Sequence, residues 1–260
     1  MAEAAAPAKG SRPEGAQTEA DASRQVREMF TQIAPRYDLL NHLLSLQLDR
    51  LWRARVARRL RPILERPDAL VLDLCCGTGD LALCLSRSAK ARIVGADFSH
   101  AMLVRARTKS ESASSYSGRP APEPMPLFEA DALRLPFAAN SFDLVTSAFG
   151  FRNLANYEAG LQEIRRVLKP GGTLAILEFT EPPPGLIGDL YRWYFHKILP
   201  RVGSWLSGGH SAYSYLPASV CRFFRSNDLA ALMAAAEYQS IDYTVWTLGT
   251  VALHTAHKTE

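Results

Sequence analysis

The chain has 260 residues, 47% hydrophobic and 22% charged, as expected of an ordinary globular protein able to bury a large core. Its net charge of only +4, without an RNA-binding motif, argues against a nucleic-acid partner. Four cysteines with no CxxC pair and six scattered histidines argue against a disulfide framework and a metal site, and no apolar run reaches the roughly 20 residues of a membrane span.

Residues 1–22 are Ala, Pro, Gly and acid without periodicity and read as a disordered tail. They lack the apolar stretch of a signal peptide, and Glu3, Glu14, Glu19 and Asp21 speak against a transit peptide, so a cytoplasmic protein, soluble or peripheral, is expected. Residues 23–260 read as one domain that opens with a helical cap over 23–66. Its first helix is predicted from Ser23, the N-cap, to Ile33. A second puts Leu48, Leu51, Trp52, Val56 and Leu60 on one face and Arg50, Arg53, Arg58 and Arg61 largely on the other, ending at Pro62 and Pro67. This stretch, "DRLWRARVARRLR", holds six arginines and one acid. It reads either as a solvated charged face or as a surface for anionic lipid.

Strands and helices then alternate. "ALVLDL" (69–74) is a buried strand, followed by helix 80–89, strand 92–98 and helix 99–109. "ESASSYSGRPAPEPMP" is a surface loop, and 127–131, 142–149 and 173–179 are further strands. Helix 157–168 is expected to stop at "KPGG". Residues 182–226 break the alternation and read as a helical insertion; a helix at 226–237 and two strands joined at Gly249 close the domain. The fold class is therefore α/β, Rossmann-like: a seven-stranded, mostly parallel, doubly wound sheet with an antiparallel C-terminal hairpin.

In such sheets the ligand lies beyond the carboxyl ends of the strands. There "LDLCCGTGD" supplies Asp73, Gly77 and Gly79, the second strand supplies Asp97, and the third supplies Asp131. Gly77-x-Gly79-x-x-Ala82 fits a dinucleotide fingerprint, but Asp80 at the helix start opposes the dipole's attraction for phosphate. S-adenosyl-L-methionine carries a sulfonium, an ammonium and a carboxylate but no phosphate, and it suits the acids better. Asp97, 18 residues after Gly79, is placed for both ribose hydroxyls; Asp131 is placed for the adenine amino group, with Phe98 or Met102 against the ring. For Asp80 alone, a helix cap is as good a reading.

"VREMFTQIAPRYDLLNHLLSLQLDRLWR", "VLDLCCGTGDLAL", "EADALRLPFAANSFDLVTSAFGFRNL", "EIRRVLKPGGTLAILEF" and "VALH" resemble the UbiE/MenG-type quinone C-methyltransferases, from about Arg24 to Lys258. The resemblance implies a class I fold and cofactor contacts at Thr78, Asp97, Asp131 and Ala132. It also implies methylation of a ring carbon of demethylmenaquinol, of a polyprenyl-methoxybenzoquinol, or of both. Ala148 stands where some members carry a serine, and the usual "AGF" before the last strands is missing.

On that reading Arg152 in "GFRN" stabilises the quinolate oxygen, through a water oriented by Asn153. The other reading of Arg152 is an ion pair with a strand-end acid that holds the loop. Tyr37, with Asp38 and Asn41, closes over the ligand, or is a buried phenol beside a helix cap. Tyr213 and Tyr215 line the ring pocket or pack the core, and His254 reads as a core histidine. Leu186, Ile187, Leu190, Trp193, Tyr194, Ile198 and Leu199 cover a prenyl tail or form a homodimer interface. A basic surface on 48–61 would hold the protein peripherally at the inner face of the membrane.

Overall fold

The computed structural model describes residues 10–13, 15–87, 89–115, 125–180, 182, 185, 188, 215 and 219–260. Most of the 182–226 insertion lies outside them, including Tyr213, Leu186, Ile187, Leu190, Trp193, Tyr194, Ile198 and Leu199.

Five parallel strands form in the expected order of appearance: β1 (Leu70–Leu74), β2 (Arg92–Asp97), β3 (Leu127–Glu129), β4 (Phe142–Ala148) and β5 (Leu168–Phe179). The hairpin β6 (Tyr238–Trp246) and β7 (Val251–Lys258) completes a sheet of order β3-β2-β1-β4-β5-β7-β6. Strand order reverses between β1 and β4, so the ligand crevice of an open α/β sheet opens above those two strands. The apolar runs are explained by burial on both faces. Leu72, Leu74, Val145 and Ile176 pack into one core layer; Val71, Leu144, Ala175 and Leu177 pack into the other.

The N-terminal cap consists of α1 (Glu19–Ile33), α2 (Tyr37–Leu44), α3 (Leu48–Arg59) and the short α4 (Arg61–Leu64). Helices α5 (Asp80–Ser86), α6 (His100–Ser115), α7 (Tyr157–Val167) and α8 (Ser226–Ala235) follow. Several boundaries differ from expectation. Helix α1 is capped by Thr18, whose hydroxyl accepts from the Asp21 amide, so it starts ahead of Ser23. Ahead of it, the described part of the tail is tied down: the Ser11 amide donates to the Leu154 carbonyl at 2.7 Å and Arg12 to the Ala155 carbonyl at 2.7 Å. "KPGG" does not end α7 as a loop. Strand β5 begins at Leu168, and the glycines are absorbed as an irregularity between the Phe142↔Leu168 and Leu144↔Thr173 pairs. The hairpin turn is Thr247–Thr250 rather than Gly249 alone. Strand β3 stops at Glu129, leaving Asp131 in the loop that follows.

Helix α3 departs furthest from its pattern. Trp52, Val56 and Leu60 are buried as expected, but Leu51 is exposed and Arg53 is buried. Pro62 does not stop a continuous helix either, because the chain already breaks at Leu60 and Pro62 opens α4.

Candidate functional site

The loop after β1 reverses sharply. Cys75, Gly77 and Gly79 all have positive φ, at 54°, 55° and 82°. A Cβ on Gly77 would have only the Tyr37 ring nearby, at 3.9 Å, whereas one on Gly79 would press on Ala106 at 3.2 Å. Gly77 thus keeps the crevice open, and Gly79 lets α5 and α6 close behind it. Asp73 stands behind this loop. Its carboxylate accepts from the Ala82 amide at 3.0 Å and the Thr146 hydroxyl at 2.8 Å, and burial pushes its pKa to about 7. The carboxylate therefore ties β1 to α5 and β4, and the residue also lines the crevice.

Asp97 accepts from the Gly77 amide and the Ser99 amide, each at 2.9 Å; burial raises its pKa to about 6 against those two bonds. Asp131 accepts from the Leu133 amide at 2.9 Å. With Phe98, Met102, Ala132, Asn153 and Gly77 these acids line a cavity of about 60 Å³. Backbone amides fix both carboxylates, and their remaining lone pairs are left to accept from a ligand. Cys75 and Cys76 are half-buried, and desolvation beside Asp97 and Asp73 pushes both thiols well up, which removes them as nucleophiles.

A larger cavity, about 250 Å³, adjoins the first. Phe30, Tyr37, Cys75, Gly77, Ala148 and Phe149 line both. The larger one adds Asp49, Trp52, Arg53, Thr78, Asp80, Arg152, Phe179 and Tyr215. Burial raises the Tyr37 pKa, and the Arg152 charge and a hydrogen bond with the Asn41 side chain oppose that shift. Tyr37 thus stays a neutral phenol near neutral pH.

Arg152 makes the ion pair with a strand-end acid that was one of its two expected roles. Its Nη1 bonds Glu178 Oε1 at 2.8 Å and the Phe149 carbonyl, and its guanidinium lies over the Phe179 ring at 5.5 Å. It also lines the larger cavity. The ion pair raises its pKa against desolvation. Asn153 accepts from Tyr215 at 3.0 Å, so of the two insertion tyrosines the described one reaches the crevice. His254 is a core residue: Nε2 faces the Ser226 carbonyl at 3.0 Å, its ring stacks on Tyr243, and burial lowers its pKa.

Across the crevice runs a chain of charges that the sequence reading did not assemble. The Thr78 hydroxyl donates to Asp38 at 2.5 Å, and Lys109 from α6 reaches Asp38 at 2.9 Å, Thr78 at 3.0 Å and also Asp80. Arg53 bonds Asp49 at 2.5 Å and approaches Asp80 at 3.4 Å; Asp49 also accepts from Ser45 and pairs with His42 at 2.7 Å. Asp80 is therefore paired with two cations, so its charge alone does not repel phosphate as the sequence suggested. The Asp49–Arg53 pair is an i,i+4 spacing visible in "DRLWR", and Glu178 is a strand-end acid like those recognised on β1 and β2.

A phosphate would meet Asp73, Asp97 and Asp131, with the lining cations already engaged by carboxylates. The comparisons with known proteins agree. The model of the ubiE/COQ5 methyltransferase family matches residues 17–258. A demethylmenaquinone methyltransferase of Thermus thermophilus is 48% identical over 87% of this chain and 98% of its own. A ubiquinone/menaquinone biosynthesis C-methyltransferase of Geotalea daltonii is 40% identical over 90% and 96%. Among solved structures, a SAM-dependent methyltransferase from Thermotoga maritima superposes with a TM-score of 0.63 at 19% identity, covering 89% of this chain and 99% of its own. The [4+2]-cyclase SpnF does so with 0.62 at 18%, covering 98% and 99%. A cyclase on the same scaffold shows that fold alone does not decide the reaction. The match along residues 17–258 and the 48% identity do decide the kinship, and this chain belongs to the ubiE/COQ5 methyltransferase family.

Proposed function

We propose that the protein methylates a ring carbon of a polyprenyl quinol, with demethylmenaquinol as the first acceptor to consider and the benzoquinol of ubiquinone synthesis as the second. The observation that carries this reading is the joined pair of cavities, one lined by Asp97 and Asp131 and the other by Tyr37, Arg152 and Phe149, in a chain of this family. S-adenosyl-L-methionine, when bound, supplies an electrophilic methyl on a sulfonium. Asp97 accepts from the ribose hydroxyls, Asp131 and the Ala132 segment meet the adenine, and Phe98 and Met102 flank its ring. Gly77, Thr78 and Gly79 follow the tail of the ligand, and Asp73 holds their loop in place.

The quinol hydroxyl must lose its proton for density to reach the neighbouring carbon. We assign the stabilisation of that oxygen to Arg152. Glu178 and the Phe149 carbonyl fix its guanidinium on the cavity wall, so no reorganisation is needed as charge develops. A water beside Arg152, oriented by Asn153, takes the proton, and Tyr37 donates to the acceptor while excluding bulk solvent.

Contact with a membrane belongs to the same proposal. No described helix is long and apolar enough to cross one. Leu46 and Leu248 are 71% and 68% exposed, and Leu46 and Thr247 line the larger cavity, which supports an apolar rim where a prenyl tail would leave. Of the basic helix, Arg53 is buried, Arg55 lies over Trp246, and Arg59 and Arg61 pair with Asp242 and Glu65. The leucines support the membrane reading better than the arginines do. Purified protein with S-adenosyl-L-methionine and a reduced short-chain demethylmenaquinol should yield ring-methylated product. No product under reducing conditions overturns the reading.

A further inference from the structure

We infer that Ser11, in a strap formed by residues 10–12, is a positioning residue for methyl transfer. Its hydroxyl, acting through Tyr215, sets which atoms of the Asn153 amide face the site. This rests on the proposed function in taking Asn153 to orient the water that receives the quinol proton.

The strap lies on the loop after β4, backbone against backbone. A Cβ on Gly10 would fall 1.9 Å from the Ala155 carbonyl oxygen and 2.6 Å from the Asn156 amide nitrogen, so only glycine allows this approach. The Ser11 amide donates to the Leu154 carbonyl at 2.7 Å, and Arg12 Nη1 donates to the Ala155 carbonyl at 2.7 Å. Arg222 holds the strap from the other side, donating to the Arg12 carbonyl at 3.0 Å. Asn153, Leu154 and Ala155 line the smaller cavity, so the strap backs one wall of the site. Residues 10–12 precede residue 17, where the match to the family model begins, so these contacts belong to this chain's own N-terminal segment.

The strap reaches the site through one side chain. Ser11 is buried, and its Oγ lies 2.7 Å from the Tyr215 hydroxyl. Tyr215 donates in turn to Asn153 Oδ1 at 3.0 Å, and it lines the larger cavity. A phenol has one proton to give. With that proton on Asn153, the Ser11 hydroxyl is the donor to Tyr215, and the row of bonds runs from Ser11 through Tyr215 to Asn153. The amide is thereby held with Oδ1 toward Tyr215, so the group it offers the site is the Nδ2 donor. A water that accepts from Nδ2 keeps a lone pair for the quinol proton. Without the Ser11 hydroxyl, Tyr215 has an empty acceptor position that Nδ2 of a flipped amide would fill. Hydrogen bonds in such a row also strengthen one another away from bulk water.

Kinetics of the full chain with S-adenosyl-L-methionine and a reduced short-chain demethylmenaquinol test the assignment. Ser11→Ala keeps the backbone bonds of the strap and removes only the first donor of the row. It should lower kcat about five- to tenfold, the range of one buried hydrogen bond. The KM for the quinol and the affinity for S-adenosylhomocysteine should stay within about twofold. Gly10→Ala, which lifts the strap off Ala155, should show the same fall in kcat. In an Asn153→Ala background Ser11→Ala should cause no further loss, because the group it positions is gone. An unchanged kcat in Ser11→Ala overturns the inference alone. So does an equal loss from Ser11→Ala with and without Asn153, the result a merely stabilising strap would give. Binding of S-adenosylhomocysteine by the unsubstituted protein without methylation of the quinol overturns the proposed acceptor, and this inference with it.

Discussion

The two sides of the crevice are held by different kinds of bond. On the sheet side, Asp97 and Asp131 accept from backbone amides, at Ser99 and Leu133 of their own loops and at Gly77 of the neighbouring one. Those donors are as rigid as the strands that carry them. On the cap side, Asp38, Asp49, Asp80, Arg53 and Lys109 hold one another side chain to side chain across α2, α3, α5 and α6. Such pairs can be exchanged without unfolding a strand. The sheet side therefore has the fixed geometry suited to reading a nucleoside, and the cap side has the exchangeable contacts that admitting a ligand requires.

The largest effect is expected where a buried cation depends on one carboxylate, as Arg152 does on Glu178. Glu178→Gln leaves the Arg152 guanidinium enclosed without its anion, and unfolding in urea should show a loss of about 3–5 kcal/mol. A loss below about 1 kcal/mol would mean that the pair does not hold the loop after β4. Proton linkage on the sheet side comes next. Burial lifts Asp97 from 3.8 to about 6, so the folded state keeps a proton that the unfolded state has released across that interval. Its contribution to stability therefore declines as pH rises from about 4 to about 6. Ligand affinity runs the opposite way, because the ionised carboxylate is the form that accepts from two hydroxyls. S-adenosylhomocysteine should bind roughly tenfold more weakly for each pH unit below about 6, and Asp97→Asn should flatten that profile. A wild-type profile that is flat between pH 5 and 8 would remove Asp97 as the ribose acceptor. The smallest effect belongs to the cap. Lys109→Met should cost about 1 kcal/mol or less, since the lysine is partly exposed. Hydrogen exchange should then quicken in α2 but not in β1; uniform quickening would show that the two sides are not separable.

The same division explains which features the sequence revealed. A strand buried on both faces produces an apolar run, and the acid that follows it marks the rim, so the sheet, Asp97 and Asp131 could be read from local pattern alone. Glu178, on β5, obeys the same rule, but its partner Arg152 lies 26 residues away in the loop after β4, beyond the reach of local pattern. Amphipathic spacing puts Arg53 on the solvent face because it cannot see Asp80, which reaches it only through tertiary packing. The start of α1 is set by a hydroxyl at Thr18 that competes with Ser23 for the same role, and "KPGG" is held in the strand by its neighbour β4. Local signals fixed the scaffold well, and pairwise charges between distant segments remained invisible.

Strand β7 lies between β5 and β6, although β6 precedes it in the chain. On the sheet β6 pairs with β7 alone, so it joins only as half of a finished hairpin. The turn of that hairpin supplies Thr247, which accepts from the Trp52 indole at 2.7 Å and borders the larger cavity with Thr250. The order of assembly follows from this connection. The nucleoside rim draws Asp97 and Asp131 from the loops after β2 and β3, and Trp52 packs on Phe149 and Phe179 of the parallel strands, but its indole N–H has no partner at Thr247 until the hairpin has docked. A folding intermediate with the parallel strands in place would already carry Asp97 and Asp131 on their rim while its larger chamber still lacked the edge formed by Thr247 and Thr250.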